Sequence, residues 1–135
     1  MAFQFSVDAR NDALDAIEAT VGTAPKLYIR TGAAPADCAT ADSGTVLATM
    51  TLPSDWLADA SNGSKVLSGT WEDTSADADG TAGHFRIKDS GDVACHIQGS
   101  CSATGGGGDM ELDNPVLATG QSVTITAFTI TAGGA

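Results

Sequence analysis

The chain has 135 residues, with seventeen Asp and Glu against six Lys and Arg, for a formal net charge of −11. That balance repels a phosphate backbone and argues against nucleic-acid binding, and no run approaches the roughly eighteen apolar residues of a membrane span. The length suits one domain, but much of the 42% hydrophobic fraction is alanine and only two Trp and one Tyr are present, so a thin core between two layers is expected.

In chain order, residues 1–6 read as a short extended arm, with Phe3 and Phe5 at strand spacing ahead of Ser6, a good helix N-cap. Residues 7–21 form the one convincing helix, with Val7, Leu14, Ile17 and Val21 on an apolar stripe and Asp8, Asp12 and Asp15 opposite. Arg10 projects near that stripe and must snorkel or find a carboxylate. Gly22 stops the helix and Pro25 prevents its continuation.

Residues 25–135 then read as a β-sandwich within the same single domain. Strands are predicted at 27–30, at 45–52 with Val46, Ala48, Met50 and Leu52 on one face, and at 65–71. An alanine-rich loop at 31–44 holds Cys38, and 53–62 offers a turn of helix around Trp56 and Leu57. The clearest hairpin runs over 84–103 around Asp89 and Gly91, with Phe85, Ile87, Val93, Cys95 and Ile97 inward, and His84, Arg86, Lys88, His96 and Gln98 on the outer face. Four glycines at 105–108 predict a mobile loop before a strand at 110–112. In the terminal run SVTITAFTIT the apolar parity changes, Val123 and Ile125 before Ala127 and Phe128 and Ile130 after it. Strict alternation of faces makes that change a bulge or a strand passing between sheets.

Chemistry is scarce in this pattern. Glu72, Asp73, Asp77, Asp79 and Gly80 have the flavour of a calcium loop, but the register puts Arg86 where a bidentate Glu belongs, so a solvated loop is the preferred reading. Adjacent Cys95 and His96 face opposite sides of a strand and cannot share one ion. Cys95 and Cys101 lie too far apart along an unbroken strand to bond, free buried thiols are the default, and Cys38 approaches either from its loop. No nucleophile elbow or phosphate loop is present, so no catalytic, cofactor or metal residue is assigned and an enzyme is not expected. Trp56, Trp71 and Tyr28 are the rings available for sugar stacking, with core or interface anchoring the plainer role for the tryptophans. Phe3 and Phe5 are the candidate partner contacts, the alternative being a hydrophobic staple on the protein's own helix.

The arm and helix MAFQFSVDARNDALDAIEATVG, with LYIRTGAAPADC, SGTWEDTSADADGTAGHFRIKDS, CHIQGSCSATGGGGDMELDN and SVTITAFTITAGG, resemble small virion proteins of tailed bacteriophages. The likeness is to head cement or decoration proteins of the Bordetella-phage type. It implies a jelly-roll-like antiparallel β-sandwich of seven or eight strands with one N-terminal helix and no enzymatic activity. It also implies binding as a dimer or trimer to the major capsid protein, on the outside of the head, after synthesis in the host cytoplasm. The competing expectation is a tail or spike accessory domain that binds host glycan.

Overall fold

The computed structural model describes residues 3–135; Met1 and Ala2 of the expected arm lie outside the described residues. One helix, α1 (Val7–Val21), precedes ten strands: β1 (Lys26–Arg30), β2 (Val46–Thr51), β3 (Ser64–Val66), β4 (Glu72–Asp73), β5 (Gly80–Thr81), β6 (His84–Lys88), β7 (Cys95–Ala103), β8 (Met110–Leu112), β9 (Val116–Leu117) and β10 (Val123–Thr131). The molecule is therefore mainly β, as its alternating segments predict. No helix among the described residues is long and apolar enough to cross a membrane.

The helix begins and ends where its caps dictate. The Ser6 hydroxyl accepts from the Ala9 N–H at 3.1 Å, Gly22 takes φ 90°, and the Gly22 N–H returns to the Glu18 carbonyl. Trp56 Nε1 donates to the Gly22 carbonyl at 2.9 Å, which ties the helix end to the core. Of the predicted stripe, Leu14 and Val21 are buried, whereas Val7 and Ile17 remain 42% and 41% exposed. The helix meets the sheet through β3, and a groove lies open beside Ile17. Arg10 finds no carboxylate among the described residues; its guanidinium lies against Gly63, where a Cβ would strike it.

One long sheet runs in the order β2-β1-β6-β7-β8-β10-β3, with β4 also on β10, and β5 pairs separately with β9. The strands outnumber the seven or eight expected because some are fragments. Of the predicted strand at 65–71 only the first two residues fall in a strand, β3; Gly69 at φ 75° turns the chain, and β4 begins just beyond the predicted span, β3 and β4 pairing with separate stretches of β10. Nor does 53–62 form a helical turn, since Leu57 bridges to Leu67 and Ser61 to Ser64 across a turn with Asn62 and Gly63 at positive φ.

Not every pair is antiparallel: β7 and β8 run parallel, Cys101 opposite Met110 and Ala103 opposite Leu112. A parallel neighbour ordinarily needs a long crossover, because the chain must reverse twice. Here the short segment between β7 and β8 suffices, with Gly105 and Gly107 both at φ 82°. The expected mobile loop is tied down: Glu111 accepts from the N–H groups of Gly105 and Gly107, and Ser102 Oγ accepts from Gly108.

The parity change in the last strand is a bulge. Pairing of β10 with β8 slips between Ile125 and Ala127, leaving Thr126 as the extra residue, so that Val123, Ile125 and Phe128 are all buried. The sheet also curls. Phe85 on β6 and Phe128 on β10 are three strands apart, about 14 Å in a flat sheet, yet their rings meet edge to face at 5.5 Å. Trp56, Trp71 and Phe128 continue this aromatic row at 5.9 and 5.6 Å, filling a sandwich-like interior. At the far side the rims nearly meet, where the Asp73 carboxylate accepts from the Thr49 N–H at 3.0 Å and the Asp77 N–H donates to the Leu47 carbonyl at 2.8 Å.

Candidate functional site

The arm lies against its own molecule but keeps its rings in solvent. The Phe5 N–H donates to the Gly134 carbonyl at 2.7 Å, and the Phe5 ring rests on Gly134, where any Cβ would collide with it. Phe3 is nevertheless 75% and Phe5 51% exposed, with the two rings perpendicular at 5.2 Å. Beside them a groove of about 420 Å³ opens between α1 and the C-terminal segment, lined by Phe5, Ala9, Ala13, Ile17 and Ala132. Phe3, Phe5, Val7 and Ile17, on the arm and α1, thus leave large apolar side chains uncovered.

Charge is sorted between inside and outside. Four of the six basic side chains, Arg30, Lys65, Arg86 and Lys88, sit in ion pairs. Asp42 alone meets Arg30 at 3.3 Å, Arg86 at 2.8 Å and Lys88 at 2.7 Å. The Lys88 hydrogen bond, opposed by burial and aided by the other cations, holds the Asp42 carboxyl below the usual carboxylate range. Lys65 is buried on β3 and paired with Asp15 and Glu18 of α1; burial works against its charge, but the two carboxylates outweigh it and raise its pKa. With the cations so engaged, acidic groups such as Asp8 and Asp12 dominate the solvent face of α1 next to the aromatic arm.

The hairpin formed by β6 and β7 does not have the open outer face that alternation predicts. His84 and Arg86 are buried because the loop over residues 31–44 folds across them. Arg86 places all its N–H groups: Nε on Cys95 Sγ at 3.2 Å, Nη1 on the Thr40 carbonyl and Asp42 Oδ1, and Nη2 on the Asp37 and Cys38 carbonyls. Gln98 donates to the Pro35 carbonyl, and His84 Nδ1, 2.9 Å from the Gly32 carbonyl, must carry the proton. A guanidinium is a fork of five donors, and a loop of free carbonyls is its natural complement.

A second bulge corrects the placement of Cys95. Ile87 pairs with Ile97 but Lys88 pairs with Cys95, so His96 is extra and Cys95 falls on the Arg86 face rather than with Ile97. Val93, also expected inward, is 84% exposed in the turn. Cys101 packs against the core, where burial pushes its thiol up to about 12. All three cysteines are free.

The acidic stretch of residues 72–80 serves backbone and hydroxyl groups. Asp73 accepts from Thr49 and Ser75, Asp77 from the Thr49 hydroxyl, and Asp79 from both the N–H and hydroxyl of Thr119. Among the described residues no three His, Cys, Asp or Glu side chains converge as a metal site. Trp56 and Trp71 are fully buried, and half-buried Tyr28 lies between Arg30 and Lys88, each 5.7 Å from its ring. The sequence missed the Arg86 clasp and the exposure of Ile17; the length and low polarity of the alanine-rich loop were the available signal that it packs on the body. Comparison with protein-family models, with curated proteins and with solved structures gives no match.

Proposed function

We propose that this chain is a structural virion protein without enzymatic activity, a cement that binds the outside of a tailed-phage head and stabilises the shell between capsomers. The observation that carries the reading is the uncovered aromatic pair Phe3 and Phe5, beside a groove that Phe5 shares with Ile17 and next to the acidic face of α1. A surface of this kind fits a partner with an apolar pocket rimmed by basic residues, here the major capsid protein. The sandwich-like body, in this reading a jelly-roll-like two-layer fold, supplies a rigid block, and dimers or trimers of it repeat weak contacts across the lattice. The burial of both tryptophans removes the rings that the glycan-binding alternative would use first.

The test is made on purified particles. Wild-type protein is expected on the head in a fixed ratio to the major shell protein, and a chain lacking residues 1–5, or carrying Phe3→Ser with Phe5→Ser, is expected to fold yet lose occupancy. Full occupancy by both variants would remove the arm from the interface, and a few copies confined to the tail would overturn the cement reading. Occupancy is also expected to fall with added salt, because screening weakens the acidic contribution.

A further inference from the structure

The Arg86 clasp brings two cysteines that are 57 positions apart to one spot. Cys38 and Cys95 both line an open cleft of about 310 Å³ with Arg86 at its floor, and the guanidinium donates to the Cys95 sulfur at 3.2 Å and to the Cys38 carbonyl at 2.8 Å. Burial, then the neighbouring Cys95 thiol, pushes the Cys38 thiol up to about 11. Both side chains are half-buried and reachable from solvent through the cleft. Cys101 lies on the core side of β7 and has no access to them. A guanidinium bonded to the Cys95 sulfur repels a metal cation, and only two soft ligands line the cleft, so the pair suits sulfur chemistry rather than coordination.

We propose that Cys38 and Cys95 are a dithiol site that small-molecule disulfides oxidise to an intramolecular disulfide, fastening the loop of residues 31–44 covalently to the sheet. The Cys95 thiolate attacks one sulfur of the small disulfide, forming a mixed disulfide and expelling one small thiolate. The Cys38 thiolate then attacks the Cys95 sulfur and expels the second. Two protein S–H bonds and one reagent S–S bond are exchanged for one protein S–S bond and two reagent thiols, the two protons ending on the reagent. Cytoplasmic reducing conditions keep the pair open, and release into an oxidising medium closes it.

The experiment treats the folded protein with oxidised glutathione and reads intact mass, free thiols and the urea midpoint. Two thiols are expected to disappear with loss of two hydrogens in mass, no retained glutathione, and a midpoint shifted upward. Cys101→Ser is expected to behave identically, while Cys38→Ser and Cys95→Ser are each expected to stop at a glutathione adduct or not react. Because cleavage after Lys88 leaves Cys95 and Cys101 in one tryptic peptide, the Cys101→Ser background fixes the linkage. Stable glutathione adducts on the wild type, a bond that includes Cys101, or three unreacted thiols under conditions that oxidise a free dithiol would each overturn the proposal.

Discussion

Arg86 and Asp42 meet at 2.8 Å although 44 residues separate them, and their contact fixes a long loop over what would otherwise be an open sheet face. The Arg86 side chain is 1% exposed and Asp42 28%, so the cation is the partner that cannot fall back on water. Replacing Arg86 by Met strands the carbonyls of Cys38 and Thr40 and leaves Asp42 without its most buried partner. A loss of about 3 kcal/mol or more is expected in urea unfolding, with Arg86→Lys intermediate because a point charge does not reproduce the fork. An unchanged midpoint for Arg86→Met would mean that the loop is fastened by other contacts.

Acid should act through the same site. Asp42 has a folded pKa below its unfolded value of about 3.9, so its contribution is present above that value and disappears as pH falls through the lower folded one. The stability gap between wild type and Asp42→Asn is therefore expected to be constant near neutrality and to narrow below about pH 4. A gap that widens on acidification would contradict the assignment.

Lys65 docks the helix. Its buried ammonium faces Asp15 and Glu18, and Lys65→Ala leaves Glu18 without that partner, with an expected cost of about 3 kcal/mol. Amide exchange should then accelerate along α1 more than in β6 or β7. Uniform acceleration throughout the molecule would show instead that helix docking and sheet folding are one event. The sign on the basic side is fixed as well: the raised pKa of Lys65 means its contribution is held below the unfolded lysine value and lost as pH climbs through the folded one.

The bulge in β10 sets which side chains enter the core. Deleting Thr126 puts Phe128 two positions after Ile125, so an unbulged strand in unbroken register with β8 would keep Val123, Ile125 and Phe128 on one face and Phe128 against the Trp71 and Phe85 rings. The deletion variant is therefore expected to unfold cooperatively and to expose no dye-binding apolar surface. Thr126→Ser keeps the extra residue and should remain within about 0.5 kcal/mol of wild type. A deletion variant that loses cooperative unfolding would show that the bulge itself, and not only the parity it sets, is needed by β10.

These outcomes follow from features of unequal visibility in the chain. Ser6, Gly22 and the parity switch around Ala127 are local signals, and each marks a real helix end or bulge, since caps and alternation act over a few residues. The surroundings of Arg86 are illegible for the opposite reason. Alternation assigns sides of a strand but not which side a distant loop will cover, and covering carbonyls are invisible among alanines. The parallel β7 and β8 pairing was hidden for a related cause, as four glycines announce freedom without revealing the direction in which it is used. Phe3 and Phe5 lie exposed, and the backbone bond from Phe5 to Gly134, at the far end of the chain, has no sequence signature.

Where the curled sheet comes round to itself, β2 faces β4 with carboxylate and hydroxyl groups in place of a ladder of amides. A wall joined that way has a preferred crack: tension pulling β2 from β4 is resisted by a handful of polar contacts that water can replace, whereas neighbouring strands of the long sheet can part only by breaking backbone pairs. The amide of Thr49 should accordingly trade its hydrogen before those of β6, marking the line along which the curled sheet opens.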